Sequence, residues 1–247
     1  MSRDIKAKGI IIKKINFRET SIILDILTPE FGVISVMAKG IRNQKSKNIG
    51  LLEILNELEL NLYKNPSSDW YIYKSSQIIN AHLFHIDLST GILMQAAVEV
   101  IRQIIISIDD SQAIYELLET YLQFIRTVNK NGIAIFWRFL LKLYKVMGIE
   151  FNITNCIECS QRKHFFAYFP QKHGFICKDC YRPVNDEQIF KINENAADLI
   201  SKLKNIGNHI EKITISKPTV KQLNRIFIIH LSEHFNKKIH LKSLELL

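Results

Sequence analysis

The chain has 247 residues, 47% of them hydrophobic, enough to bury a sizeable core and to form more than one domain. Its formal charge of +9 and pI near 9.3 favour an anionic partner, most often nucleic acid. A membrane span is excluded on length: crossing takes about 20 uncharged apolar residues, and the nearest run, residues 91–108, is interrupted by Gln95, Glu99, Arg102 and Gln103. Met1, Ser2, Arg3, Asp4, Ile5 and Lys6 form no apolar signal region, so a cytoplasmic location is expected.

Residues 5–79 read as β structure. Residues 5–12 are a β-branched run and residues 21–27 a second, with polar Asn16, Arg18 and Glu19 between them. Thr28, Pro29, Glu30, Phe31 and Gly32 signal a turn into a third strand at 33–37. Residues 58–63 alternate with period 2, and a turn at 65–68 leads to Trp70, Tyr71, Ile72 and Tyr73. Five short strands, with a long basic connection after the third, predict a small barrel of the OB type; an SH3-like barrel or an open meander has the same pattern. Alternation places Trp70 with Ile72 and Tyr71 with Tyr73, without telling which pair faces out.

From about residue 89 the apolar period becomes helical. Ile114, Leu117, Leu118, Tyr121, Leu122 and Ile125 make one stripe, with Ser111 as its expected N-cap. Ile133, Trp137, Leu140, Leu141 and Tyr144 make another, ending at Gly148. Further helices are expected at 194–205 and, after Pro218, at 219–235. The fold class is therefore α+β: an N-terminal OB-fold barrel over residues 1–80 and an α-helical domain over 81–247, with an inserted module at 150–185.

That module holds all four cysteines, as Cys156-x2-Cys159 and Cys177-x2-Cys180, separated by 17 residues. Each CxxC turn presents two thiolates to one side of a metal, so two turns complete a tetrahedral cage for one structural Zn2+. Between them Phe165, Phe166, Tyr168 and Phe169 precede a turn at 170–174, as in a short hairpin. Two disulfides would suit a secreted chain, and a redox CxxC would need a βαβ surround; neither context is present. His164 and His173 are expected as exposed hairpin residues. A closed four-sulfur site leaves no position for water, so its metal holds a fold.

Charge is uneven along the chain. A bias toward Ile, Lys and Asn inflates the total, so distribution tells more. Residues 1–50 carry ten Lys/Arg against four Asp/Glu, whereas residues 81–155 carry six against seven. Residues 39–47 hold Lys39, Arg42, Lys45 and Lys47 with no acid, a loop suited to phosphate contact; Lys13, Lys14 and Arg18 extend it. Phosphate loops, GxGxxG, GxSxG and HExxH are all absent, and no catalytic centre is expected. Asp109 and Asp110 suit a helix N-terminus. His230, Glu233 and His234 suit a partly exposed helix face. A groove between helices, with Arg126, Arg138 or Lys142, would accept acidic or carboxyl groups of a peptide.

The order of these pieces resembles the bacterial RecO family of DNA repair and recombination mediators. The matching residues are Gly9-Ile10-Ile11-Ile12, Arg18-Glu19-Thr20-Ser21, Thr28-Pro29-Glu30-Phe31-Gly32, Ala38-Lys39-Gly40-Ile41-Arg42 and Lys45-Ser46. Phe139-Leu140-Leu141-x6-Gly148, the two CxxC pairs with Gly174-Phe175-Ile176, and His240-Leu241-Lys242-Ser243-Leu244 continue it. The chain departs from the family at two loops: Glu150-Phe151-Asn152 stands where a Pro is frequent, and Ser160 where a Gly commonly follows the first CxxC. Members without the cysteines agree with a structural role for zinc.

The resemblance implies binding of single- and double-stranded DNA and annealing of complementary strands. It also implies partnership with RecR and the C-terminal tail of single-stranded DNA-binding protein, and through them RecA loading at gaps. DNA contact carries over to Lys39, Arg42 and Lys45; Lys13, Arg18 and Lys47 are added from charge. The alternatives are an RNA-binding factor, because barrels and zinc ribbons serve RNA equally well, and a metal-dependent nuclease with an unrecognised site.

Overall fold

The computed structural model describes residues 4–43, 49–64, 66, 68–182 and 189–247. It divides into two compact units, residues 1–126 with 241–247, and residues 127–240.

The first unit is built on five strands: β1 (Asp4–Phe17), β2 (Ser21–Thr28), β3 (Gly32–Ala38), β4 (Asn56–Lys64) and β5 (Tyr71–Ala81). They close in the order β1-β2-β3-β5-β4, with β3 and β5 parallel and every other pair antiparallel. This is the OB-like sheet domain expected from the sequence. β1 is longer than the apolar run 5–12 and continues to Phe17, because its second half pairs with β2 while its first half pairs with β4. Ile11, Ile22, Leu24, Ile26, Ile34, Val36, Leu58, Leu60 and Leu62 fill the interior. Alternation along β5 resolves with Tyr71 inside and Trp70 outside, and Tyr73 packs at the margin of the core.

Helices α1 (Leu88–Gln103) and α2 (Ile108–Ile125) complete this unit. Asp87 caps α1, accepting from the Thr90 N–H at 3.0 Å. The cap of α2 is Ser107, not Ser111: the Ser107 hydroxyl accepts from the Asp110 N–H at 3.1 Å. Ser111 lies one turn inside, buried, and donates to the carbonyls of Pro29 and Ile108. Asp109 and Asp110 do occupy the first turn, where the helix dipole favours acids. The terminal stretch is tied back to α1 by Glu99, whose carboxylate accepts from both the N–H and the hydroxyl of Ser243.

In the second unit, α3 (Gly132–Val146) leads to a hairpin of β6 (Phe165–Phe169) and β7 (Gly174–Cys177), joined by β8 (Phe190–Lys191). α4 (Glu194–Lys202) and α5 (Lys217–His234) follow, and Pro218 sits within the first turn of α5 rather than before it. Trp137, Tyr144, Phe151, Tyr168, Phe175 and Phe227 form an aromatic core. Its polar edges are satisfied: the Trp137 Nε1–H donates to Asn224 Oδ1 at 2.7 Å and the Tyr144 hydroxyl to the Phe227 carbonyl at 2.8 Å.

A charged network sits under the barrel wall. Glu57, whose side chain is fully buried, accepts from Tyr115 Oη and Asn80 Nδ2, each at 2.6 Å, and pairs with Lys8 at 2.8 Å. His82 Nε2 lies 3.7 Å from the same carboxylate. Burial alone would raise the Glu57 pKa, but His82, Asn80, Lys8 and Tyr115 outweigh it and hold the carboxyl far below the usual range. A carboxyl depressed in the folded state stabilises above its unfolded pKa and loses that contribution as pH falls. Stability of the barrel therefore declines with acid from about the ordinary value of 4.5 downward. Glu57→Gln should cost about 2–3 kcal/mol at neutral pH and flatten this acid limb, as read by urea unfolding at a series of pH values.

Candidate functional site

Three features stand out among the described residues: a cationic rim on the barrel, a cluster of thiols on the hairpin, and a basic cleft beside α3.

The rim arises where two turns meet. Arg18 opens the β1–β2 turn with a left-handed backbone (φ 52), and the loop after β3 folds onto it. The Arg42 N–H donates to the Thr20 carbonyl at 2.9 Å, and its guanidinium to the Arg18 carbonyl at 3.3 Å. Lys39 and Arg42 are both exposed on this loop, and the Arg18 guanidinium lies 5.3 Å from the centre of the Phe17 ring. Thus three residues singled out by charge, Arg18, Lys39 and Arg42, come to one end of the barrel. Lys13 and Lys14 stand further along β1, each in an ion pair, with Asp25 at 3.3 Å and Glu53 at 2.5 Å. Their charge is partly neutralised, so they add less to a surface for anions. Lys45 and Lys47 lie outside the described residues.

Cys156, Cys159, Cys177 and Cys180 bring their four Sγ atoms within 4.8 Å of one another, and none is in a disulfide. Two like turns achieve this. In the first, the Ser160 N–H donates to the Cys156 carbonyl at 2.9 Å; in the second, the Tyr181 N–H donates to the Cys177 carbonyl at 3.1 Å. The Cys177 N–H also points at Cys156 Sγ, 3.4 Å away. Burial opposes ionisation of Cys156, but N–H groups of Cys159, Cys177 and Glu158 overcome it and bring the thiol down to about 6. Cys180 goes the other way, up to about 12, because its neighbours Cys177, Cys159 and Cys156 draw on its proton. The Cys156 thiolate is therefore readily available, whereas Cys180 needs a cation to follow. Four sulfurs at this spacing are a donor set suited to a tetrahedral ion.

The cleft, about 690 Å3, is lined by Arg138, Lys142, Lys145 and Lys204 against a single acid, Glu150, with Leu141, Phe151 and Ile153 supplying apolar wall. Burial and the Arg138 charge lower the pKa of Lys142. Of the three cations expected in a peptide groove, Arg138 and Lys142 are here. Arg126 belongs to the first unit and donates to the Phe84 carbonyl at 3.1 Å. Lys145 and Lys204 escaped the sequence reading; Lys145 follows Lys142 and Arg138 at helical spacing, but nothing in the sequence places Lys204 beside them.

Two histidines also depart from expectation. His173 is half-buried, not an exposed hairpin residue, and His230 is fully buried on α5; His164 and His234 are exposed. The His230–His234 spacing of one helical turn was visible in the sequence. The approach of the hairpin turn to that face was not.

Two family models match the chain: Recombination protein O N terminal over residues 1–82 and Recombination protein O C terminal over residues 85–245. The DNA repair protein RecO of Acetivibrio thermocellus is 25% identical over 240 residues, covering 94% of this chain and 92% of that protein. The protein of the same name from Clostridium perfringens is 24% identical over 248 residues, covering 98% and 97%. That of Chloroherpeton thalassium reaches 30% over 154 residues, 62% of this chain and 59% of the relative.

Ser160 is one of the two departures from the family pattern, and its backbone explains the glycine that is common there: φ is +57, a left-handed value. Ser160→Gly should therefore be neutral to stabilising by up to about 1 kcal/mol. Gly148, at φ +67 with open space around it, should give the reverse: Gly148→Ala loses about 1 kcal/mol from backbone strain alone. Chemical unfolding of the two variants checks the pair. With the C-terminal model alone spanning residues 85–245, the chain belongs to the RecO family of DNA repair proteins.

Proposed function

We propose that this protein is a non-enzymatic recombination mediator. It anneals complementary single strands and helps load RecA onto gaps coated with single-stranded DNA-binding protein. The observation that carries this reading is the rim: a closed OB-order barrel with Arg18, Lys39 and Arg42 at one end, in a chain of the RecO family. Exposed cations on adjoining turns contact phosphates without reading bases. Annealing needs no bond chemistry. A basic surface lowers repulsion between two polyanions and concentrates both, and base pairing supplies the free energy.

The partners proposed with this role are single- and double-stranded DNA, RecR, and the C-terminal tail of single-stranded DNA-binding protein. The cleft beside α3 supports the last of these, because four cations around an apolar wall suit an acidic peptide ending in a carboxylate. We also propose that Cys156, Cys159, Cys177 and Cys180 hold one structural Zn2+. Their two matching turns and mutual approach support this assignment. The bound ion would stabilise all four thiolates and fix β6 and β7.

The mediator reading is tested by annealing two complementary oligonucleotides coated with single-stranded DNA-binding protein, followed by fluorescence without nucleotide. Acceleration is expected. Binding to naked DNA without acceleration would overturn it, and a preference for RNA of the same sequence would replace it with the RNA-binding alternative. Lys39→Glu with Arg42→Glu should weaken binding and reduce the slope of log K against log salt by about 1–2. An unchanged slope would move the DNA surface elsewhere.

Cys159→Ser should lose the metal and cost about 3 kcal/mol or more, because binding of a structural ion is also folding free energy. Metal content and thermal unfolding together decide it. Unaltered values in both would remove zinc from the account.

A further inference from the structure

We propose that His173, His230 and His234 form a second metal site, for a divalent transition ion such as Zn2+ or Ni2+, that pins the hairpin turn to α5. The candidate ligand nitrogens of the three residues lie within 4.8 Å of one another. A tetrahedral ion with metal–nitrogen bonds of about 2.0–2.1 Å would draw them to roughly 3.3 Å, a change that side-chain torsions can supply. His230 and His234 are one turn apart on α5 and so project from the same face. His173 reaches that face from the residue after the Pro170–Lys172 turn, held there by a left-handed backbone (φ 49, ψ 44).

An independent observation points to a ligand. His173 Nδ1 is buried and has no hydrogen-bond partner. A buried nitrogen left unpaired costs about 1–3 kcal/mol, so it needs an explanation. A metal supplies the missing partner.

The tautomer of His230 agrees. Its Nε2 contacts the Ile149 carbonyl at 2.5 Å, and a carbonyl only accepts, so Nε2 carries the proton. Nδ1 is then a lone pair, which the Tyr168 hydroxyl meets at 3.2 Å. Donation of the outer ring N–H to a backbone carbonyl is how metal-binding histidines are oriented in general. Burial keeps His230 uncharged, with a pKa pushed down to about 3, and also lowers that of His234. The three imidazole rings face one another, with centroids 4.3 to 5.5 Å apart. Imidazole nitrogen selects Zn2+, Ni2+, Cu2+ or Co2+ over Mg2+ and Ca2+. Three protein ligands leave a fourth position, which water takes on the exposed side of His234.

The site differs in kind from the thiol cluster: it offers nitrogen donors and an open position. The two are therefore separable by experiment. The full chain, without a histidine tag, is loaded with one equivalent of Zn2+ and then titrated with Co2+. The expected result is a further equivalent of Co2+ with visible d–d absorption and no thiolate charge-transfer band. His173→Asn with His234→Gln should abolish that equivalent while the first Zn2+ is retained. Tyr168→Phe removes the hydroxyl that competes for His230 Nδ1, so it should tighten the second equivalent about 5-fold, a hydrogen bond of about 1 kcal/mol. A wild-type protein that takes up only one equivalent, or a second equivalent that survives in the double variant, would overturn the proposal. Co2+ that shows thiolate charge transfer alone would likewise assign all metal to the cysteines.

Discussion

Closing this five-stranded sheet rests on β1, which serves two neighbours at different points of its length. Asp4 to Ile10 pair with β4, and Ile10 to Phe17 pair with β2, so the strand must bend where the two ladders meet. Gly9 lies at that place. A Cβ there would stand 2.5 Å from the Ile26 side chain and 3.0 Å from the Leu27 carbonyl, so the close crossing admits no side chain. The consequence reaches the rim. Because β1 bends and runs on to Phe17, its turn into β2 is carried to where the loop after β3 can bond to it, which brings Arg18 and Arg42 together. Closure of the barrel thus precedes its charge pattern.

The second unit obeys a different constraint. Its hairpin is short, with four residues in β7, and cannot hold itself by sheet pairing alone. It is fixed at both ends. The aromatic rings of Phe165, Tyr168 and Phe175 anchor the strands among Phe151 and Phe227. The thiols gather at the open end. Gathering four sulfurs is unfavourable without a cation, since ionisation of Cys180 is resisted beside its neighbours while Cys156 ionises easily. The hairpin is therefore an element whose geometry anticipates a bound ion, and zinc is the proposal that meets this need.

The parts legible in the sequence were those fixed by local chemistry. Alternation gave the barrel strands, helical period gave α2 and α3, and two CxxC pairs gave the thiol cluster. What escaped was set by partners far along the chain. Ser111 reads as well as Ser107 for a cap, but its hydroxyl is taken by the carbonyls of Ile108 and of Pro29, the latter 82 residues earlier in sequence. Trp70 and Tyr71 alternate equally well in either sense until the pairing of β5 with β3 selects Tyr71 for the interior. His173 reads as a turn residue because nothing local reveals that α5, some 60 residues later, covers it. The unexpected Ser160 is the opposite case: its position was legible as a departure, and the backbone angle supplies the reason.

The basic regions of the two units are not equivalent, although a count of charges treats them alike. On the rim, Arg18, Lys39 and Arg42 are exposed on turns. Such cations keep their hydration and bind a polyanion through counterion release, which rewards many weak contacts along a flexible strand. In the cleft, Lys142 is partly desolvated beside Arg138, and Leu141, Phe151 and Ile153 form the floor. Burial makes an unneutralised lysine costly there, so the cleft favours a compact anion that also brings apolar surface. A phosphate backbone lacks that surface; a carboxylate at the end of a peptide with apolar side chains has it. The same excess of lysine and arginine thus stands in two different surroundings, exposed turns on the barrel and a partly apolar cleft beside α3, and the two differ in the anion each would hold best.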